Sequence, residues 1–136
     1  MVRILIVEDS PAMRTYVRSA LESTPELGDD LEIIEASSGF DALRLLPRST
    51  YDLVITDINM PDINGLELIR FVRQTAHLKR IALLIISTQS SERDKARALA
   101  LGADAFLAKP FTPELLRGAV TRSLTGRSSI PDGSNP

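Results

Sequence analysis

Short runs of branched apolar residues recur five times along the chain, at 4–7, 31–36, 53–56, 81–86 and 105–108. Between them the hydrophobic period changes from that of a strand to that of a helix. Met13, Tyr16, Val17, Ala20 and Leu21 follow the i, i+3, i+4, i+7, i+8 spacing of an amphipathic helix, and Gly65, Leu68, Ile69, Val72 and Ala76 repeat it. Leu115, Leu116, Ala119, Val120 and Leu124 make a third such face. Ser10-Pro11 and Thr112-Pro113 each set a capping hydroxyl before a proline at the first helical position, Asn64 can cap the central helix, and Gly102 can close the helix at 92–101. The helix near 39–46 is the shortest, being stopped by Pro47. Five strands alternating with five helices predict one α/β domain: a doubly wound (βα)5 fold with a five-stranded parallel sheet and helices on both faces.

Right-handed crossovers place every strand's C-terminal end along one edge, and ligands of such sheets bind there, near the point where strand order reverses. Functional residues are therefore expected just after each apolar run. Glu8 and Asp9 follow the first, Asp57 the third, Ser87 the fourth and Lys109 the fifth. Three carboxylates held close repel one another, so such a cluster takes up protons or binds a cation. All-oxygen ligation suits Mg²⁺, which uses few protein ligands, keeps waters and shares phosphate oxygens. Each residue alone has an ordinary reading: Glu8 and Asp9 as a solvated helix-capping loop, Asp57 as a turn residue, Ser87 as a strand-end hydroxyl, Lys109 as a surface lysine. Their joint arrival at one sheet edge points to a site.

The remaining composition narrows the function by exclusion. With 18 acidic and 16 basic residues the net charge is −2, which is no basic footprint for nucleic acid or an anionic membrane. The absence of cysteine removes disulfides, thiolate catalysis and cysteine metal sites. The apolar run near the start is too short for a signal-peptide core or a membrane span, so a cytoplasmic protein with no membrane insertion is expected. Residues 1–124 are expected to form the domain; 125–136, rich in Ser, Pro, Gly and Asn, are expected to be a flexible tail or linker.

The pattern resembles the response regulator receiver domains of two-component signalling, in particular the single-domain chemotaxis (CheY-like, flavodoxin-like) type. Val-Glu-Asp-Ser at 7–10, Asp-Ile-Asn-Met-Pro at 57–61 with Gly65 following, Ser87-Thr88 and Lys-Pro-Phe at 109–111 carry the resemblance, which runs from Arg3 to about Leu124. It implies that Asp57 is the phosphoacceptor, in a Mg²⁺-dependent reaction. The ion would be held by Asp9, Asp57, the backbone carbonyl of Asn59 and, through water, Glu8. Lys109 would contact the phosphoryl group, Ser87 would move to meet it, and Lys109-Pro110 would be cis. The resemblance also implies a sensor histidine kinase or phosphotransfer protein as donor and an effector protein downstream. The chain would be a monomer or a dimer formed on phosphorylation, and not an enzyme beyond its own phosphorylation and dephosphorylation. Direct nucleic-acid binding is not expected, since no helix-turn-helix can follow Leu124.

Phe106 stands where the chemotaxis type has a tyrosine-like switch aromatic; without a hydroxyl it would act by ring packing, or is simply a core aromatic. The expected output face comprises Arg93, Arg97, Phe106 and Arg117. The arginines at 14, 18, 70, 73, 93, 97, 117 and 122 mostly fall off the apolar stripes and read as solvated helix faces, some usable for docking. His77 reads as an exposed loop residue. Two other classes remain: a receiver-fold interaction module that is not phosphorylated, and an Asp-nucleophile Mg²⁺-dependent phosphatase. The phosphatase needs a carboxylic acid two residues after its nucleophile, where this chain has the amide of Asn59. There is no G-x-G-x-x-G after the first strand and no G-x-x-x-x-G-K-[ST].

Overall fold

The computed structural model describes residues 1–88 and 91–128. Strands β1 (Arg3–Val7), β2 (Glu32–Ala36), β3 (Leu53–Thr56), β4 (Ala82–Ser87) and β5 (Ala105–Ala108) form one sheet. Its order is β2-β1-β3-β4-β5, and every pair is parallel. Helices α1 (Pro11–Glu22), α2 (Gly39–Leu45), α3 (Gly65–Gln74), α4 (Glu92–Leu101) and α5 (Pro113–Ser128) supply the crossovers, with single 3₁₀ turns at Pro25–Leu27 and Leu46–Arg48. The chain leaves β1 toward β2 on one side and returns to β3 on the other, so strand order reverses between β1 and β3.

Period-two alternation divides the strands' side chains between two cores. Leu5, Val7, Val54, Leu83 and Ile85 pack with Leu68, Ile69 and Val72 of α3 and Ala98 of α4 on one face. Ile4, Ile6, Leu53, Ile55, Leu84 and Ile86 pack with Val17 and Leu21 of α1 and Leu116 and Val120 of α5 on the other. Each fully buried Leu, Ile or Val contributes about 1.5–3 kcal/mol, which is why the central strands read as unbroken apolar runs.

The helix ends follow the sequence signals. Ser10 Oγ accepts from the Met13 amide, Thr112 Oγ1 from the Leu115 amide, and Asn64 forms a reciprocal capping box with Glu67. Gly102, at φ 119°, closes α4 in the left-handed region. Three expectations shift. First, α5 continues to Ser128, past the expected domain end at Leu124; of the expected tail, 129–136 lies outside the described residues. Second, α3 stops at Gln74, because Thr75 is extended, so Ala76 is not on its face; Leu115, also assigned to an apolar face, is 55 % exposed.

Third, Arg14, Arg18 and Arg73 are half-buried and held in ion pairs rather than lying free on solvated faces. Arg14 and Arg18 donate from Nε to the two oxygens of Glu35 at 3.0 and 2.6 Å, and Arg73 is fixed by four acceptors. For Arg14 and Arg18 the cause is β2's place at the sheet edge, which leaves Glu35 facing α1; for Arg73 it is the α4–β5 junction beside the end of α3. No helix among the described residues is long and apolar enough to cross a membrane.

Candidate functional site: an acidic pocket at the C-terminal sheet edge

The loops that leave β1, β3 and β5 prolong the sheet by single backbone bonds before they turn. The Glu8 amide donates to Ala36 O at 3.0 Å, the Asp57 amide to Val7 O at 3.3 Å, and the Lys109 amide to Ser87 O at 2.9 Å. Strand register thus fixes these side chains relative to one another. Their backbones are set by a ladder rather than by free loops, as a preorganised site requires.

Lys109 is the hub. Its Nζ lies 2.7 Å from Asp57 Oδ2 and 2.9 Å from Glu8 Oε1. Asp57 is 6 % exposed and Glu8 1 %. Burial pushes the Glu8 carboxyl above the usual range, while the Lys109 ammonium and the Ser10 amide pull it part of the way back. Burial acts to lower Lys109, but its bonds to Asp57 and Glu8 outweigh this and hold it above its ordinary value, as an ammonium. The other Asp57 oxygen, Oδ1, accepts from the Asn59 amide at 3.2 Å.

Supporting contacts come from residues that sequence patterns did not mark. Arg14 donates from Nη1 to the Glu8 carbonyl at 2.6 Å and so holds the acidic loop against α1. Tyr16 donates its hydroxyl to Phe111 O at 2.8 Å, tying α1 to the segment after the cis Lys109-Pro110 bond. Neither contact has a sequence signal: the first reaches back across the β1–α1 turn to a backbone carbonyl, and the second joins positions 95 residues apart.

Asp62 anchors the loop after β3. Its carboxylate accepts from the Gly39 and Phe40 amides at the start of α2, at 3.2 and 2.8 Å. The Phe40 amide foremost, with those of Ile63 and Gly39, holds it at a pKa of about 2. A carboxylate depressed in the folded state stabilises it above its unfolded value and loses that contribution as pH falls through the folded one. The anchor is therefore complete above about pH 4 and fails toward pH 2. In Asp62→Ala at neutral pH the Gly39 and Phe40 amides should exchange with deuterium faster than in wild type. Equal exchange would show that the carboxylate does not protect them.

Of the remaining expected site residues, Ser87 is fully buried as the last residue of β4, and its register partner is Ala108. Phe106, partly buried against the core of α3 and α4, lies two positions before Ala108 on the same face as Ser87. Asp9, Arg93 and Arg97 are exposed. The structure does not bring Arg117 to the α4 side; with Thr121 and Arg122 it borders a cleft completed by Pro25 and Glu26, after α1. Three of the four expected output residues therefore share one region and the fourth does not.

Among the described residues no three carboxylate, imidazole or thiolate groups converge closely enough to cage a metal. The donor set still suits Mg²⁺. It is all oxygen, two of its carboxylates are buried against one ammonium, and this ion is commonly held by one or two carboxylates with water and phosphate oxygens completing its shell.

Comparison with known proteins agrees in sequence and in shape. Residues 4–121 match the family model described as response regulator receiver domain. Chemotaxis protein CheY1 of Helicobacter pylori is 34 % identical over 116 residues, 85 % of this chain and 90 % of that protein. The KDP operon transcriptional regulatory protein KdpE of Escherichia coli is 39 % identical over 111 residues, 82 % of this chain and 46 % of that protein. The solved structure of chemotaxis response regulator CheY4 of Vibrio cholerae superposes with a TM-score of 0.81 at 33 % identity, covering 91 % of this chain and 99 % of that one.

Proposed function

The chain belongs to the response regulator receiver domain family, and from that membership we propose that its switch is worked by a phosphoryl group carried on Asp57. The family and its relatives make it a phosphorylation-dependent signalling protein of the two-component type. The observation that carries the assignment of Asp57 is its environment: a nearly buried carboxylate at the end of a central strand, with the Lys109 ammonium 2.7 Å away.

In the proposed reaction a carboxylate oxygen of Asp57 forms a bond to phosphorus as the donor's P–N bond breaks. The electron pair of that bond stays on the departing imidazole nitrogen of a sensor kinase or phosphotransfer protein. The product is a mixed anhydride, which water cleaves to carboxylate and phosphate, so the switch resets. An anionic nucleophile meeting an anionic phosphoryl group needs positive charge between them. Lys109 supplies one such charge by passing from Asp57 Oδ2 to a phosphoryl oxygen, and remains an ammonium while doing so because Glu8 still holds it. Members of this family use Mg²⁺ in phosphorylation; here Asp9, Asp57, the Asn59 carbonyl and, through water, Glu8 would hold the ion, which supplies further charge neutralisation when bound.

Read-out follows from what a phosphoryl oxygen draws toward itself. The Ser87 hydroxyl moves to it, and the space left on that face of the sheet is next to Phe106, whose ring repacks. A surface with two discrete packings is biased this way without large motion. An effector protein then docks over Arg93, Arg97 and Phe106, with Arg117 left out of that face.

Incubation with acetyl phosphate and Mg²⁺, followed by intact mass and peptide mapping, tests the reading. One phosphoryl adduct should appear on the peptide that contains Asp57 and disappear when the ion is chelated. An adduct of equal yield in chelator, or one mapped elsewhere, would refute it.

A further inference from the structure

At the opposite edge of the sheet from Asp57, the segments that enter β3 and β4 enclose a cleft of about 580 Å³. Pro47, Arg48, Tyr51 and Asp52 border it on one side, His77, Leu78, Arg80 and Ile81 on the other, and Leu124 of α5 closes it. The volume is that of a small-molecule site. The walls are of two kinds. Tyr51, Leu78 and Ile81 are buried and make an apolar floor, whereas Arg48, His77 and Arg80 are exposed at the rim.

Two observations give the cleft a chemical preference. Neither rim guanidinium has a carboxylate partner among the described residues. Against these two guanidiniums the wall carries one carboxylate, Asp52, whose Oδ2 accepts from the Arg3 amide at 2.8 Å. The rim is therefore electropositive in a chain whose net charge is −2. Independently, Tyr51 is 8 % exposed, lines the cleft, and its hydroxyl has no hydrogen-bond partner among the described residues. Its ring adds an aromatic face to the cleft lining, which suits a ring or short apolar chain.

We infer that this cleft is a binding site for a small organic anion, a phosphate, phosphonate or carboxylate carried on a ring or short apolar chain. The apolar part covers Tyr51, Leu78 and Ile81, and the anionic head meets Arg48 and Arg80, whose planar forks pair with oxyanions in two-point fashion. The site is separate from the phosphorylation pocket, which lies at the other ends of the same strands.

Phenylphosphonate serves as the probe, because its P–C bond rules out phosphoryl transfer to Asp57. Amide spectra of the full chain, recorded without Mg²⁺ at neutral pH, should show saturable shifts at Tyr51, His77, Leu78 and Leu124. Arg48→Gln and Arg80→Gln should each weaken binding by about tenfold, the loss expected for one charge-assisted contact. Both side chains are exposed, and both variants should still take one phosphoryl adduct on Asp57. Benzylammonium, with the same ring and the opposite charge, should give no saturable shift in the cleft, and inorganic phosphate should bind more weakly than the probe. Shifts confined to Glu8, Asp57 and Lys109, unchanged affinity in both arginine variants, or phosphate binding as tightly as the probe would overturn the assignment.

Discussion

Asp57→Asn should take no phosphoryl group at all, under conditions in which the wild-type chain is fully modified. The amide that replaces the carboxylate has nearly its shape but neither its charge nor its nucleophilicity. The neighbouring carboxylates are poor substitutes for different reasons. Glu8 is 1 % exposed, with its two oxygens taken by Lys109 and by the Ser10 amide, and burial already favours its neutral form. Asp9 is exposed and lacks a bond to the Lys109 ammonium among the described residues. The fold should survive, because Lys109 keeps Glu8 as a partner at 2.9 Å. Loss of the Asp57 charge should also lower the Glu8 pKa, to which that charge makes a raising contribution. Intact mass after exposure to a phosphodonor, with circular dichroism on the same sample, is the measurement. A phosphorylated, folded Asp57→Asn chain would remove Asp57 from the mechanism.

Gly65→Ala should damage both the fold and the chemistry. A Cβ built on Gly65 would stand 2.2 Å from the Asp57 carbonyl oxygen and 2.9 Å from its carbonyl carbon. These are backbone atoms, so no rotamer can relieve the overlap. The approach is imposed from both sides, since the Gly65 amide donates to Ile58 O at 2.8 Å and Asn64 caps the helix that Gly65 begins. Either α3 or the Asp57 peptide must shift by roughly 1 Å, a displacement that can cost about a hundredfold in rate when it falls on reacting groups. Overpacking of this kind typically destabilises by about 1–3 kcal/mol. Urea unfolding and a phosphorylation time course should both report the change. A variant with wild-type midpoint and wild-type rate would show that α3 can retreat without moving Asp57.

The parts of this design that were legible beforehand are those with a local or periodic cause. The five strands, their caps and the C-terminal gathering of Glu8, Asp57, Ser87 and Lys109 follow from hydrophobic period and from the rule that parallel strands end along one edge. The roles of the gathered residues came from family resemblance, and what the fold adds to them is distance. What could not be read was long-range and side-chain specific. Arg14, Arg18 and Arg73 carry polar heads on helices and look like solvent-facing residues until the edge strand and the α4–β5 junction are placed beside them. The placement of Arg117 beside Pro25 and Glu26 could not be read either, because spacing along one helix does not say which neighbouring element lies beyond it. The cleft below β3 and β4 left no trace, since its walls come from segments that carry no motif.

Arg73 also fixes the C-terminal end of α4. Its guanidinium donates to Gly102 O at 3.0 Å, to Asp104 at 3.1 Å, and to the carbonyls of Lys79 and Ile81 at 2.9 and 2.7 Å. The end of α4 is thereby riveted to the end of α3 and to the entry of β4. A Cβ at Gly102 would strike Arg73 Cγ at 2.7 Å, so the joint has no slack. The opposite end, capped by Ser91, stands on the side of Ser87. The helix is a beam clamped at one end. With that end fixed, a displacement near Ser87 would be expressed as tilt about the rivet, and the exposed side chains at the loaded end, Glu92 and Arg93 first, would sweep the longest arc.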